Sequence, residues 1–412
     1  MISRRNAVGL ALTAPLLLQG GGPHAATESL KARVARYIRE YASQGIHRTG
    51  TDVDLANATW LAEHIQSFGL KPELVEFAFK RVRPITNKLT VGEQVAEGVP
   101  LYDCLYTDAR GFTGTLGEIG SSADIGVVQA FPRASSAGGR ALHKARLAGK
   151  HKAIIVIADE RMPPGITPTN AEDFSAPFGP PTLQVSNADA PWIKKAAAEG
   201  IEGSVVAHCD YVDARGINVG ATIRGRRPEL APLVIMTPRS GWWACASERG
   251  GGIAAWLEMM RAVAVAGADR DVIFTANTGH ELGHIGLDHY LESRGGLVKG
   301  ASMWIHLGAN FAAAVQSGIG VQSSDEQVRK LTIDTLTRHQ LKPAAETPAG
   351  RRPFGEARNI YDGGGRYVSL LGQNGLFHHP DDTWPAAVDL DTTARWVGAF
   401  TEIAGKLSGT LG

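Results

Sequence analysis

Val272-Ile273-Phe274-Thr275-Ala276-Asn277-Thr278-Gly279-His280-Glu281-Leu282-Gly283-His284 changes character part-way along. Its first five residues are apolar or β-branched with no polar alternation. That is how a strand covered on both faces reads. Gly279 ends the run, and His280 and Glu281 follow at once. Imidazole and carboxylate just past the carboxyl end of a buried strand stand where an open α/β sheet binds its ligands.

Two further runs of this kind lie outward from it. Leu233-Val234-Ile235-Met236 leads to Thr237, Arg239 and, beyond a loop, Glu248. Met303-Trp304-Ile305 leads directly to His306. Helical spacing separates the runs. Ile253, Trp256, Leu257, Met260 and Val263 share one face, and Leu282 to Ser293, Val328 to His339 and Thr392 to Leu407 also read as helices. The alternation predicts an α/β fold with a mixed, mostly parallel central sheet and helices on both faces.

Nearer the start, Glu28 to Phe68 has helical spacing and Glu73 to Arg83 reads as extended. From Pro84 to Asp213, short apolar runs alternate with Gly, Pro and Ser turns, and the loop Pro163 to Pro181 is Pro-rich. The expected organisation is a first part of the main α/β domain over 27–83, a small β-rich insert over 84–213 and the rest of the main domain over 214–412. The insert is expected to rest over the site entrance without supplying a metal ligand, because it holds no cluster of His or acid.

Composition removes some function classes. Of 412 residues, 43% are apolar, and 42 basic against 41 acidic residues give a net charge of +1. No basic stripe with interleaved aromatics is present, so nucleic acid is not an expected partner. Residues 1–26 read as a signal segment. Ser3-Arg4-Arg5-Asn6 places twin arginines before the short apolar run Ala7 to Leu18, which implies export to the periplasm or the exterior. No later stretch is apolar for long enough to span a bilayer. The cysteines are Cys104, Cys209 and Cys245. Cys104 and Cys209 could pair in an oxidising compartment, or all three could be buried thiols.

The chemistry-bearing residues gather at one predicted sheet edge. His280, His284, His306, His378 and His379 are five of the chain's 13 histidines. Together with nearby carboxylates they suit zinc. His280-Glu281-Leu282-Gly283-His284 is a literal H-E-x-x-H, which on a helix sets His280 and His284 as metal ligands with Glu281 as base.

A resemblance carries the reading further. Asn218-Val219 through Gly225, Gly251-Gly252-Ile253 through Glu258, His280 through Gly286, and above all Phe377-His378-His379-Pro380-Asp381-Asp382-Thr383 resemble segments of the zinc aminopeptidase family. That family also contains glutaminyl cyclases, glutamate carboxypeptidase and the transferrin receptor. Ala123 to Val128 in the insert resembles a protease-associated domain. The resemblance implies an exported zinc-dependent hydrolase acting on a peptide or small amide. Two of the family's first-zinc positions here read Thr237 and His306, and the acidic neighbour reads Arg239. The second-zinc positions read Glu248, Glu281 and His378, all competent ligands. One zinc per chain is therefore expected on Glu248, Glu281 and His378, with His280 moving the proton and Arg239 or His306 binding an anion or oxyanion. Two alternatives stay open: a metal on His280 and His284, and a non-catalytic binding protein on the same fold.

Overall fold

The computed structural model describes residues Glu28 to Gly409. The expected signal segment lies outside the described residues. Among these, no helix is long and apolar enough to cross a membrane.

The strands in chain order are β1 (Glu73–Val91), β2 (Gln94–Pro100), β3 (Phe112–Glu118), β4 (Ile125–Ala130), β5 (Ala153–Ala158), β6 (Thr182–Val185) and β7 (Glu202–Ile223). They continue as β8 (Leu233–Pro238), β9 (Val272–Asn277), β10 (Met303–Leu307), β11 (Gly318–Ser323), β12 (Ala345–Thr347) and β13 (Tyr367–Gln373). They pair in the order β1-β2-β6-β5-β4-β3-β7-β9-β8-β10-β13-β11-β12, and β1 also pairs with β7. The centre is parallel: β9, β8, β10 and β13 all run one way. The three apolar runs of the sequence are thus three adjacent parallel strands.

The reason for their unbroken apolar character is visible in β8. Leu233 and Ile235 face one core, with the helices Leu30–Ala42, Gly250–Ala266 and Leu390–Ser408. Val234 and Met236 face a second core, with Leu287, Tyr290 and Ile360 from Ile285–Ser293 and Ala357–Asp362. Side chains alternate across a strand, so a sheet covered on both sides needs apolar residues at every position. The helix Gly250–Ala266 lies tight against the sheet. A Cβ at Gly252 would fall 2.8 Å from the Thr237 hydroxyl, so only glycine allows this approach.

β1 and β7 are long antiparallel partners that run from the central sheet into the region of the predicted insert. There the pairings β1–β2, β2–β6, β6–β5, β5–β4, β4–β3, β3–β7 and β7–β1 close a ring. The ring holds its own apolar core, including Leu89, Leu116, Ile155, Leu183 and Val205. Positions 84 and 213 both fall inside strands, because the chain enters and leaves this region by extending two strands of the main sheet.

Candidate functional site

The carboxyl ends of β8, β9 and β10 deliver Arg239, His280 with Glu281, and His306. All are buried. His306 stands at the end of β10 as expected, but the other three are set differently from the spacing-based expectation.

After β9, Gly279 and Gly283 adopt left-handed backbone at φ +84° and +79°, with His280–Leu282 as a single 3-10 turn between them. The helix begins only at Ile285. The H-E-x-x-H segment is therefore a reversal, not a helix. The reversal still stacks the His280 and His284 rings, with centroids 4.9 Å apart and planes at 24°. Glu281 points away from them. Its Oε1 accepts from the Thr49 backbone N–H at 2.6 Å and its Oε2 from the Ser240 hydroxyl at 2.8 Å. Burial raises its pKa even so. Glu281 and Leu282 also line a cavity of about 380 Å³ shared with Arg48, Thr49 and Tyr102.

Arg239 does not face the site. Its guanidinium donates to Asp54 Oδ1 at 2.7 Å, the Asp54 carbonyl at 2.9 Å, Asn57 Oδ1 at 3.1 Å and the Ile217 carbonyl at 2.6 Å. It pins the helix Asp52–Ser67 to β7, and each of its nitrogens is already engaged there. The expected anion-binding role is corrected on that ground.

The arginine that does stand at the centre is Arg249, one residue after Glu248. Its Nε donates to the Ser240 carbonyl at 2.9 Å. Nη2 lies 2.8 Å from Glu248 Oε1 at an angle that makes no hydrogen bond, and neither terminal nitrogen has a hydrogen-bond partner. Burial pushes the Glu248 carboxyl up, but Arg249 and then His378 outweigh it and hold the pKa at about 2. His378 donates from Nδ1 to the Pro168 carbonyl at 2.6 Å. Its Nε2 is 3.4 Å from Glu248 Oε1 and has no partner. Glu248 and His378 thus meet as expected, but a guanidinium already provides the cation and Glu281 turns elsewhere. The residues at the inherited zinc position do not fit a metal held by Glu248, Glu281 and His378.

His306 Nδ1 faces the Ser369 hydroxyl at 2.8 Å, and its Nε2 is buried without a partner. Burial and then the Arg249 charge pull its pKa down to about 3, so the ring is neutral at pH 7. Thr237 is spent on the Leu307 carbonyl at 2.9 Å. His379 lies under the loop, where a Cβ on Gly165 would meet its Nε2 at 2.4 Å. The loop through Pro168 and Asn170 covers the centre and also bonds Trp242 Nε1 at 2.8 Å.

One group was not foreseen. Glu356, fully buried, sets Oε1 3.1 Å from His280 Nδ1, and its Oε2 has no partner. Burial raises its pKa to about 8, with Arg249 acting in opposition. Donor atoms of His280, His284 and Glu356 lie within 4.8 Å of one another. No other set of three His, Cys, Asp or Glu residues comes as close among the described residues. Glu356 sits in an irregular loop before Ala357–Asp362, and no spacing in the sequence ties it to His280. All three cysteines are free thiols.

No family model matches the sequence, and no curated protein matches it significantly. The fold does have close counterparts. A zinc aminopeptidase from Bacillus subtilis superposes with a TM-score of 0.74 at 13% identity, covering 92% of this chain and 94% of that one. The chain has the zinc aminopeptidase fold. The aminopeptidase of Aneurinibacillus sp. strain AM-1 gives a TM-score of 0.67 at 18% identity, over 92% and 94% of the two chains. An M28 peptidase precursor from Shewanella amazonensis gives 0.72 at 17%, over 92% and 95%. At such identities the zinc aminopeptidase fold is what is shared.

Proposed function

We propose that the chain is a hydrolase of amide or peptide bonds, working on a peptide or small amide with one bound zinc. One observation carries the reading. In a fold shared with aminopeptidases over 92% of the chain, buried polar atoms without partners converge at the strand ends: Arg249 Nη1 and Nη2, His306 Nε2, His378 Nε2 and Glu356 Oε2. Each such atom costs roughly 1–3 kcal/mol when left unsatisfied. A centre that holds several is built for a ligand.

Zinc held beside these groups, on the cluster of His280, His284 and Glu356, would polarise a carbonyl and acidify a water. Arg249, anchored through Nε and paired with Glu248 through Nη2, keeps Nη1 for a substrate carboxylate or the oxyanion of a tetrahedral intermediate. His306 is held through Ser369 and kept neutral, so it orients a reacting group by hydrogen bonding without adding charge. The loop over His378 excludes water. The Phe377 to Thr383 segment and the twin-arginine-like start support an exported protein of this type.

A second reading, a binding protein without turnover, is favoured by the Arg249–Glu248 pair filling the inherited metal position. Assay separates the two. Zinc-loaded protein is offered dipeptides, N-acyl amino acids and aminoacyl anilides, with and without a chelator. Turnover that the chelator abolishes and zinc restores is expected. Stoichiometric zinc with no turnover on any substrate class rejects the hydrolase reading.

A further inference from the structure

We propose that the metal site of this chain has moved: a zinc ion binds His280, His284 and Glu356, while the Arg249 guanidinium holds the position that the resemblance assigned to zinc on Glu248, Glu281 and His378. The inference deepens the reading above and rests on its metal dependence, not on its hydrolysis.

Local structure gives no reason for a histidine at 284. Its backbone is left-handed at φ +77°, a region uncommon for any residue but glycine, although asparagine, aspartate and histidine enter it more often than others. As N-cap of Ile285–Ser293 it supplies no capping hydrogen bond. What the left-handed turn achieves is the placing of that ring against His280. Residues held in sparsely populated backbone regions cluster at functional sites.

The orientation of His284 is that of a metal ligand. Its Nδ1 lies 3.0 Å from Asn359 Oδ1, and Asn359 Nδ2 donates to Asp288 Oδ1 at 2.7 Å. The second bond fixes which end of the amide faces the histidine. An amide oxygen only accepts, so Nδ1 carries the proton and the Nε2 lone pair is left for a metal. Ligating histidines are oriented by such a bond on the other ring nitrogen. Glu356 contributes the carboxylate, with Oε2 buried and unpartnered. Two imidazoles and one carboxylate form a zinc donor set that leaves a coordination position open, as catalytic zinc sites do.

The inherited position is closed by the same test. Both oxygens of Glu281 are taken, by Thr49 and Ser240. Glu248 has its countercharge in Arg249 at 2.8 Å. Arg249 thus already supplies to Glu248 the positive charge that a metal would have supplied there.

The test is zinc affinity, read by competition with a chromophoric chelator at pH 7. It is run on the whole protein and on H284A, E356Q, N359A, H378A and E281Q. Circular dichroism checks each fold, and the near-isosteric E356Q serves if H284A does not fold. Wild type is expected to bind one equivalent, and H284A and E356Q to lose it. N359A, a positioning variant, should weaken binding by about 10–100-fold and shift the ligand-field spectrum of the cobalt form. H378A and E281Q should keep wild-type affinity. Loss of zinc from H378A or E281Q, with retention in H284A and E356Q, overturns the relocated site and leaves the hydrolase reading standing. Zinc on the relocated site without turnover does the reverse. A wild type that binds no zinc after loading overturns both.

Discussion

Replacing Arg239 by methionine tests whether this arginine is a strut or part of the chemistry. Arg239 and Asp54 form an ion pair at 2.7 Å with both side chains at 0% exposure. Methionine keeps much of the aliphatic stem and removes every donor to Asp54, Asn57 and Ile217. Asp54 keeps bonds from the Gly50 N–H at 2.9 Å and the Thr278 hydroxyl at 2.8 Å, but it loses the cation it is paired with. Removing one partner of a buried pair costs roughly 3–5 kcal/mol, far more than a solvent-exposed pair is worth. R239M should therefore lose about 3–5 kcal/mol in urea unfolding, with the slope against urea unchanged. It should still bind one zinc. Adding D54N should recover part of the loss, since the two residues belong to one network. An R239M protein as stable as wild type but with impaired turnover would show that Arg239 reaches the substrate, and the reasoning would fail.

Two other outcomes follow from burial. His47 stacks on Tyr41 at 3.9 Å, and burial pulls its pKa down to about 3 from 6.5. The unfolded chain takes up this proton first as pH falls, so the stabilising contribution is whole above pH 6.5 and shrinks steadily toward pH 3. The slope is about 1.4 kcal/mol per pH unit, so H47F should lose about 2 kcal/mol less than wild type between pH 7.5 and 5 in parallel denaturation series; matching series would refute this. G286A should destabilise by about 1–3 kcal/mol through overpacking, because the new Cβ would fall 2.1 Å from the Thr278 carbonyl oxygen; an unchanged urea midpoint would show that β9 and the helix after it are not in such close contact.

How far the sequence could be read depended on which forces act locally. Leu233–Met236, Val272–Ala276 and Met303–Ile305 were legible as strands because double-sided burial imposes apolar residues at every position. His378 lies 3.4 Å from Glu248, but Glu281, the third residue that the resemblance named with them, is bonded to Thr49 and Ser240. The seams of the expected insert were not legible: β1 and β7 carry mixed exposure along their length and both continue through positions 84 and 213, with only a register shift between Pro84 and Thr86. The direction of a side chain at a strand end was not legible at all. Arg239 follows β8 as expected, yet the carboxylate of Asp54 draws it away from the site. Glu281 occupies a ligand position, yet Thr49 and Ser240 capture it. His280 and His284 were singled out for helical spacing and meet by a glycine-flanked reversal instead. Glu356 completes their cluster from a loop 76 residues beyond His280, a contact set by chain crossing alone.

The most direct measurement is anomalous diffraction at the zinc edge from crystals grown with zinc. A single peak bounded by His280 Nδ1 or Nε2, His284 Nε2 and Glu356 Oε2 is the result expected, with the Arg249 guanidinium still against Glu248. A peak between Glu248 and His378, with Arg249 displaced and Glu281 turned in from Thr49, would contradict the account.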